Sequence, residues 1–479
     1  MAARATTALA GGRSPEPRGI HLITVSSSER TRALLKDLYE AAVEGAAPGP
    51  LTTAALADFQ AAPEQRLWLY ALGKASHAMA TAAVSSLQRS LHTIAGGVIV
   101  GPEEKPTPYA TLASLAGDHP LPGRRSFTAA ERIGAATVGM RSADVAIVLL
   151  SGGASSLVAA PMRGMSEADL GQLFELLLGS GLDVRSMNAI RKRFCRWGAG
   201  RLALALAPAR TYSFVISDVP GDELADVGSG PCSPDALTVR DVIALLQSSG
   251  LFTRVAPSMR EYLGAVARGL MPETPKATHP AFAHVSTRLV GTNQLAVDAA
   301  VRRAASLSVR AEGAAGTLDG DAARCGERIA QTLLERARTG TTGVTVWGGE
   351  TTVQLTRPPA FTGRQLDARG GLAPPGTPPT GGRCQELALA ASRLLAEAGE
   401  TGRRVTILAA GTDGRDGPTD AAGAFADGIL WDAIRASGHD PALALSRHES
   451  YPVLDGAGAL LRRGQTGTNV MDVVIGVVE

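Results

Sequence analysis

Short, continuously apolar runs alternate with segments of helical periodicity along most of this chain. The runs LWLYALG, VAIVLLSGG, YSFVISD and VSTRLVGT each lead into a loop or into a helical pattern such as NQLAVDAAVRRAA. This alternation is typical of a mostly parallel sheet covered by helices. The run from Val145 to Leu150 is apolar at every position, as expected of a strand buried on both faces. We therefore predict an α/β protein.

The same alternation restarts after Gly340, with GVTVWGGETTVQL, RCQELALAASRLLAEAG and RVTILAAGTDG. A second, smaller α/β unit is therefore predicted. The predicted division is a disordered tail over residues 1–28, a first domain over 29–310 and a second domain over 311–479. Residues 357–382 are so rich in proline and glycine that they cannot build a packed core, and we interpret them as a mobile loop inserted in the second domain.

Composition excludes several functional classes. The chain has 479 residues, of which 45% are hydrophobic and 19% charged, and a formal net charge of +2. This charge is too close to neutral for nucleic-acid binding, and no apolar run reaches the roughly 18 residues of a membrane-spanning helix. The cysteines form no CxxC pair, so neither a zinc site nor a disulfide framework is predicted. They are Cys195, Cys232, Cys325 and Cys384.

Isolated cysteines favour a reducing, intracellular compartment, and we predict a cytoplasmic protein. The first 25 residues contain Arg4, Arg13 and Arg18 against one acid, Glu16, a composition that faintly resembles an organelle transit peptide. A mitochondrial location is the alternative.

Candidate chemistry is sought in the loops that follow strands, because open α/β sheets bind ligands beyond the carboxyl ends of their strands. The stretch LGKASHAM puts Gly73 and Lys74 where a strand joins a helix, a place that favours an anion. It is not a Walker A loop, because Trp68 replaces its first glycine and Ala75 its hydroxyl residue. A solvated lysine is the alternative.

The stretch LLSGGASSL repeats this arrangement and offers small residues and hydroxyl donors to phosphate oxygens. A tight turn capped by serine is the alternative. The chain contains neither GxSxG nor GxGxxG, which argues against a serine hydrolase and a standard dinucleotide-binding fold. The predicted nucleotide-binding residues are Gly73, Ser151, Gly152, Gly153, Ser155 and Ser156.

Acidic residues follow the strand YSFVISD, and such oxygen donors suit Mg²⁺ better than a soft metal. Asp218 stands at the predicted strand end and is the candidate metal ligand, whereas Glu223 and Asp226 fit a solvated turn better than a metal site. Asp218 is therefore the single metal residue that we predict.

Three basic or polar stretches complete the candidate site. Asn188, Arg191 and Lys192 recur at helical spacing on one face, where they could bind a carboxylate or phosphate, or form an ordinary basic surface. Arg383 opens a helix after two glycines, an unfavourable position for a cation unless an anion is bound. Glu350 follows a strand and is either a ligand partner or a turn residue.

The loop AGTDGRDGPTDAAGA, residues 410–424, carries three aspartates and four glycines directly after a strand. A surface turn would explain this composition equally well. Together with the isolated cations and the candidate metal ligand, however, it supplies the parts that phosphoryl transfer requires, namely charges on the phosphates, a metal and a carboxylate for the acceptor hydroxyl.

A series of motifs, in order, resembles the glycerate 2-kinases with a carboxyl-terminal MOFRL domain. They are GKA, HPLP, SGGASSL, NAIRK, ISDVPGD, SGP, GTN, GGETTVQL, GGRCQELAL, GTDGRDGPTDAAGA and TGTNVMD. The resemblance implies a Rossmann-like domain, a smaller MOFRL domain and an active site in the cleft between them. It further implies ATP-dependent phosphorylation of D-glycerate at the 2-hydroxyl with Mg²⁺. The essential residues of the family fall on Lys74, Arg383 and Asp413, and Asn188 and Arg191 are the predicted substrate-binding residues.

Two alternatives stay open at this stage, an NAD(P)H-dependent hydroxypyruvate reductase and a non-catalytic nucleotide-binding protein. The predicted partners are D-glycerate and ATP, without nucleic acid or membrane, and the candidate assembly is a homodimer. Cys384 stands where the family usually has asparagine, and Cys232 where it has threonine, which leaves the preference among hydroxy acids open.

Overall fold

A computed structural model describes residues 27–62, 64–353, 365–366, 372–373 and 380–479. Nearly all of the predicted tail, 1–28, and most of the predicted insertion, 357–382, lie outside the described residues. The predictions of a disordered tail and a mobile insertion therefore stay predictions.

The first sheet has six strands, all parallel, in the order β3-β2-β1-β4-β5-β6. Every residue of β4 is buried, as its uninterrupted apolar sequence predicts. Because β1 pairs with β2 on one side and β4 on the other, the strand order reverses at β1, and ligands of such sheets bind beyond the strand ends at this point. The strands are β1 (Leu67–Leu72), β2 (Ile94–Gly101), β3 (Leu112–Ala116), β4 (Val145–Leu150), β5 (Arg210–Ile216) and β6 (Val285–Gly291).

Helices precede, connect and follow these strands. Short 3₁₀ turns at Val227–Ser229 and Pro280–His284 add to them. The helices are α1 (Ser27–Gly45), α2 (Pro48–Ala55), α3 (Ser76–Arg89), α4 (Arg124–Thr137), α5 (Ala154–Leu157), α6 (Glu167–Leu178), α7 (Val184–Phe194), α8 (Arg201–Leu206), α9 (Val239–Ser248), α10 (Pro257–Ala267) and α11 (Asn293–Ser306).

The second sheet is mixed, with the order β13-β12-β11-β14-β8-β7. Only β7 and β8 pair in parallel among its described strands, and the short strands β9 and β10 form a separate antiparallel pair. The strands are β7 (Ala311–Gly313), β8 (Gly343–Gly349), β9 (Gln365–Leu366), β10 (Leu372–Ala373), β11 (Val405–Gly411), β12 (Gly423–Asp427), β13 (Leu460–Leu461) and β14 (Asp472–Val478).

Six helices of the described chain follow β7. The longest two, α12 and α13, pack against each other and against β14 and β11 respectively. The helices are α12 (Ala322–Arg338), α13 (Arg383–Glu397), α14 (Glu400–Arg403), α15 (Leu430–Ala436), α16 (Pro441–Ser446) and α17 (Ser450–Gly456). A parallel sheet and a second, smaller sheet unit confirm the predicted α/β class.

The helices α1 and α11 lie against the second sheet although they precede it in sequence. They pack on each other, α1 also contacts β11 and β14, and α11 contacts β7 and β8. The Tyr39 hydroxyl on α1 donates to the carbonyl of Gly411, 2.8 Å away, at the end of β11. The predicted boundary at residue 310 stays a prediction, and α1 contributes to holding the strand that leads into the loop of Asp413.

Candidate active site

Lys74 is placed by two loops that touch at the point where the first sheet reverses its strand order. Gly73 has φ +118°, and a Cβ there would lie 2.3 Å from the Ser151 carbonyl oxygen, so only glycine allows this approach. The Lys74 amide donates to the Gly152 carbonyl at 2.9 Å, and the Ala75 amide donates to the Ser151 hydroxyl at 3.0 Å. The ends of β1 and β4 are thereby fixed to each other.

Asp218 follows β5 and lies directly against the second of these loops. A Cβ at Gly152 would come within 1.7 Å of Asp218 Oδ2, so glycine is required for the carboxylate to occupy its position. The other neighbour of this carboxylate comes from the far end of the chain, since Asn469 Nδ2 donates to Oδ2 at 3.3 Å. Burial raises the pKa of Asp218, while the charges of Lys74 and Arg191 oppose the rise.

Asp413 brings the second sheet to the same place. It lies two residues beyond β11, and its Oδ2 is 3.7 Å from Lys74 Nζ. Both side chains keep about a third of their surface exposed, 31% for the lysine and 28% for the aspartate. The resemblance placed these two residues in one site, and the structure brings them together across the two sheets.

Arg383 is held by two carboxylates at the start of α13. Its Nε and Nη2 donate to Asp472 at 2.5 and 2.8 Å, and Nη1 lies 2.8 Å from Glu350 Oε1. Although burial alone would lower it, these carboxylates raise the pKa of Arg383 well above its usual value. Arg383 is a cation at a helix start, an unfavourable position, and its bidentate pair with Asp472 compensates for this and orients the side chain.

Asp416, in the same loop as Asp413, makes hydrogen bonds to the backbone of α13. It is buried, and its two carboxylate oxygens accept the backbone N–H groups of Cys384 and Gln385 at 3.1 and 2.8 Å. Asp416 therefore satisfies the free amides at the start of α13. Burial raises its pKa to about 7, assisted by the charge of Asp472.

The serine hydroxyls of the predicted nucleotide-binding loop bond within the protein. Ser155 pairs with Ser229 at 2.7 Å, and Ser156 donates to the Gly153 carbonyl at 3.2 Å. Ser151 Oγ accepts from the amide of Ala75, as described above. Their role in nucleotide binding stays a prediction.

Arg191 and Asn188, the predicted substrate-binding residues, also contact each other. Arg191 Nη2 donates to Asn188 Oδ1, and Asn188 Nδ2 donates to the Asp226 carbonyl at 3.4 Å. Arg191 is close enough to His119 and Asp218 for its charge to act on both. The amide of Asn188 therefore orients Arg191, and it is the arginine that borders the cluster of charges.

Three side chains of the site were not singled out from the sequence. Asp472 orients Arg383, Asn469 bonds to Asp218, and His119 borders Lys74. Burial and the charges of Lys74 and Arg191 lower the pKa of His119 to about 4, so its imidazole is neutral at pH 7. The motifs HPLP and TGTNVMD contain all three residues. The motifs therefore point to these residues, but they do not indicate which side chains each one contacts.

Carboxylates outnumber cations in the cluster. Burial raises the pKa of Glu350 to about 7, and the negative charges of Asp472 and Asp218 add to the rise. Two carboxylates that disfavour each other's charge, such as Glu350 and Asp218, provide a suitable environment for a divalent cation. In the described part of the chain no three His, Cys, Asp or Glu side chains converge as a ready-made metal site. Mg²⁺ usually takes one or two protein carboxylates and completes its shell with phosphates and water, so these residues fit it.

A cavity of about 860 Å³ opens outward from Arg383 and Glu350. One wall comes from the end of α6, the start of α7 and the loop that follows β5, and the other comes from the loops that follow β8 and β11 and from the start of α13. Arg383 and Glu350 are the members of the charged cluster that line it, and they mark its inner end. This fold and site define a two-sheet α/β enzyme with its charged groups between the sheets.

Known proteins share this architecture. Residues 34–264 match a family described as a domain of unknown function, DUF4147, and residues 343–472 match the MOFRL family. D-glycerate 2-kinase from Thermotoga maritima is 33% identical over 86% of this chain and 91% of its own length. The crystal structure of glycerate kinase from Thermotoga maritima superposes with a TM-score of 0.75 at 31% identity, covering 94% of this chain and all of that one. The chain belongs to the glycerate 2-kinase family, which confirms the resemblance inferred from its motifs.

One relative carries a different name. A protein from Agrobacterium vitis, 32% identical over 92% of this chain and 93% of its own length, is named for hydroxypyruvate reduction.

Among the described residues, no helix has the length and apolarity that crossing a membrane would demand.

Proposed function

We propose that this protein transfers the terminal phosphoryl group of ATP to the 2-hydroxyl of D-glycerate, producing 2-phosphoglycerate and ADP. The observation that carries the proposal is the pairing of Lys74 with Asp413 across the two sheets, 3.7 Å apart and both open to a ligand. A cation for the phosphoryl group and a carboxylate for the acceptor hydroxyl thus lie side by side.

Asp413 is the residue that would receive the proton of the glycerate hydroxyl. Its Oδ1 accepts the backbone N–H of Arg415 at 3.0 Å, while its Oδ2 faces Lys74 and the side chain is 28% exposed, whereas both oxygens of the buried Asp416 accept backbone amides. As the hydroxyl oxygen attacks, its proton would pass to the Asp413 carboxylate, and the bond between the transferred phosphorus and the ADP oxygen would break.

Lys74 and Arg383 would hold the negative charges of the reactants. Lys74 has a single ion pair of 3.7 Å among the described residues, so it is free to shift onto a phosphoryl oxygen as the proton moves to Asp413. Arg383 is fixed by Asp472 and Glu350 and offers a rigid, planar donor, the geometry that suits a carboxylate or a phosphate.

Mg²⁺ would be held by Asp218, and Glu350 is close enough for the charge of Asp218 to act on it. When bound, the ion would screen the charge on the phosphates. The chain's own contribution is to keep Asp218 against Gly152 and next to Asn469, so that the carboxylate faces the cluster without rearrangement.

A hydroxypyruvate reductase is the second candidate, favoured by the name of the Agrobacterium relative. One experiment separates the two. ADP release with ATP, Mg²⁺ and D-glycerate is measured beside oxidation of NADH and NADPH with hydroxypyruvate. ADP release that depends on D-glycerate supports the kinase. Oxidation of NADH or NADPH with hydroxypyruvate, in the absence of such ADP release, would replace the kinase by the reductase.

The position of the new phosphate is settled by separating the 2- and 3-phosphates of the product, for example by ³¹P NMR. A 3-phosphate would leave the phosphotransferase intact and correct the site of transfer.

A further inference from the structure

The cavity beyond Arg383 is much larger than a three-carbon acid requires. Its volume of about 860 Å³ lies near the upper end of the range for small-molecule sites. D-glycerate would lie next to Lys74 and Asp413, neither of which lines the cavity, and the part of the cavity away from Arg383 and Glu350 is its outer part. The outer part is therefore available to a second, larger reactant.

The walls of this outer part are mostly apolar. On the side of the first sheet they include Val184, Met187 and Val219, and on the side of the second sheet Val353 and Pro418. Apolar walls around a few polar groups are typical of sites for flat, largely apolar ligands such as a nucleobase. A small polyhydroxy acid would gain nothing from them.

One hydrogen-bonded pair of the cavity wall, His448 and Glu386, takes no part in the proposed chemistry. His448 Nδ1 lies 2.9 and 3.1 Å from the two carboxylate oxygens of Glu386. Glu386 is buried and lies three residues after Arg383 on α13, whereas His448 keeps 24% of its side chain exposed. When the neutral ring donates from Nδ1 to this carboxylate, the other ring nitrogen, Nε2, is an acceptor for a ligand.

Two glycines of this wall are required by the packing of its loops against each other. A Cβ at Gly381 would lie 2.4 Å from Ser450 Oγ, and one at Gly417 would lie 2.2 Å from the Gly381 carbonyl. The buried hydroxyl of Thr351, also in the wall, has no hydrogen-bond partner among the described residues. Polar groups are therefore present for a ribose as well as for a base.

We propose that the outer cavity binds the base and ribose of the nucleotide, with His448 Nε2 accepting a hydrogen bond from the amino group of adenine. The triphosphate would then run inward to Arg383 and Lys74, and D-glycerate would bind at the inner end from the side of Asp413. This inference rests on the proposed kinase function and names the place of its nucleotide.

The first test fills the cavity. Val184 is 40% exposed at the start of α7, so Val184→Trp adds bulk without disturbing a core. Leu443→Trp, at a 44% exposed position outside the cavity wall, is the matched control. ADP affinity is measured by calorimetry without D-glycerate, and KM values are measured for both substrates.

We expect Val184→Trp to weaken ADP binding and raise the KM for ATP by about tenfold or more, a loss of about 1.4 kcal/mol, with the KM for D-glycerate nearly unchanged. A higher KM for D-glycerate with normal ADP affinity would overturn the inference and assign the cavity to the acid.

The second test concerns the base. His448 has φ +57°, a conformation that asparagine tolerates, so His448→Asn keeps the backbone and removes the ring. Inosine triphosphate carries a carbonyl where ATP has its amino group. We expect wild type to prefer ATP over inosine triphosphate by about fivefold or more in kcat/KM, and His448→Asn to lose most of this preference. An unchanged ratio in the variant would refute the role of His448.

Failure of the two proposals can be told apart. If wild-type protein neither binds ADP nor phosphorylates D-glycerate, the proposed function fails, and this inference fails with it. If wild type is active but Val184→Trp behaves like Leu443→Trp, the kinase stands and the nucleotide lies elsewhere.

Discussion

Lys74 Nζ and Asp413 Oδ2 are 3.7 Å apart, although one side chain follows the first strand of the parallel sheet and the other follows a strand of the mixed sheet. Neither sheet alone contains both charges of the candidate site. The site therefore exists only where the two sheets meet, and small changes in their contact should alter turnover more than they alter folding.

Replacing Asp413 with asparagine keeps its size but removes its charge and basicity. If it accepts the proton of the glycerate hydroxyl, Asp413→Asn should lower kcat by about 10²-fold or more, with ADP affinity nearly unchanged. Steady-state kinetics and ADP calorimetry measure the two effects.

The control for this variant is Asp420→Asn. Asp420 lies in the same loop but bonds to Tyr451 at 2.7 Å and Arg462 at 3.0 Å, away from Lys74. Near-normal turnover in folded Asp413→Asn, or an equal loss in the control, would show that the carboxylate is wrongly assigned.

Lys74→Met retains most of the side chain and removes the ammonium. Loss of one pre-organised charge contact costs roughly 3–4 kcal/mol of transition-state stabilisation, so kcat should fall by about 10²-fold or more. Lys105→Met, at an exposed lysine, should leave kcat unchanged. If Lys74→Met retains wild-type turnover, its ammonium takes no part in the reaction.

Gly152→Ala tests the position of Asp218. The added Cβ would lie 1.7 Å from Asp218 Oδ2, so the carboxylate must move. We expect the variant to fold, to lose most of its activity and to need a higher Mg²⁺ concentration for half-maximal turnover. Gly171→Ala on α6, where a Cβ meets no atom within 4 Å, should behave as wild type or be slightly more stable. An unchanged Mg²⁺ requirement would contradict the assignment of Asp218.

Asp416 predicts a pH dependence of stability. Its pKa is about 7 in the folded protein and about 4 when unfolded, so the folded state holds its proton more tightly. The contribution of this group to the free energy of unfolding is therefore present below about pH 4 and is lost as the pH rises to about 7.

Asp416→Asn removes this titration, although it also weakens the cap of α13. Urea unfolding at several pH values should show the wild-type free energy falling more steeply than that of the variant between about pH 4 and 7. Asp432→Asn, at an exposed helical position, should retain the wild-type slope. Parallel curves for wild type and Asp416→Asn would show that Asp416 is ionised in the folded protein throughout this range.

The sequence predicts the individual strands and helices better than it predicts which strands pair with each other. Continuous apolar runs identified buried strands such as β4, and glycine next to Lys74 marked a strand-to-helix junction, because both are local properties of the chain. The mixed order of the second sheet is not local. It depends on which strands pair, and nothing in an apolar run specifies its partner.

The same limit applies to the site. Asp472 and Asn469 lie in the motif TGTNVMD, but their partners Arg383 and Asp218 are distant in sequence. Asn293, in the GTN motif, shows the reason: its amide donates to the carbonyls of Val470 and Asp472 at 2.7 and 2.9 Å, and so fixes the segment that orients Arg383. Residue types indicate which side chains can react or bind. The hydrogen bonds that orient those side chains come from residues distant in sequence, and only the tertiary fold shows them.

The packing of α1 on the second sheet imposes an order on synthesis. The Thr468 hydroxyl donates to the Ala46 carbonyl at 2.7 Å, a contact between residues 422 positions apart. Helix α1 therefore leaves the ribosome long before β14 exists to cover it, and the contact order of this part of the protein is high. The part of α1 that packs on β14 stays uncovered until that strand has been made, so the second sheet and the site it carries are completed only after residues 472–478 have left the ribosome.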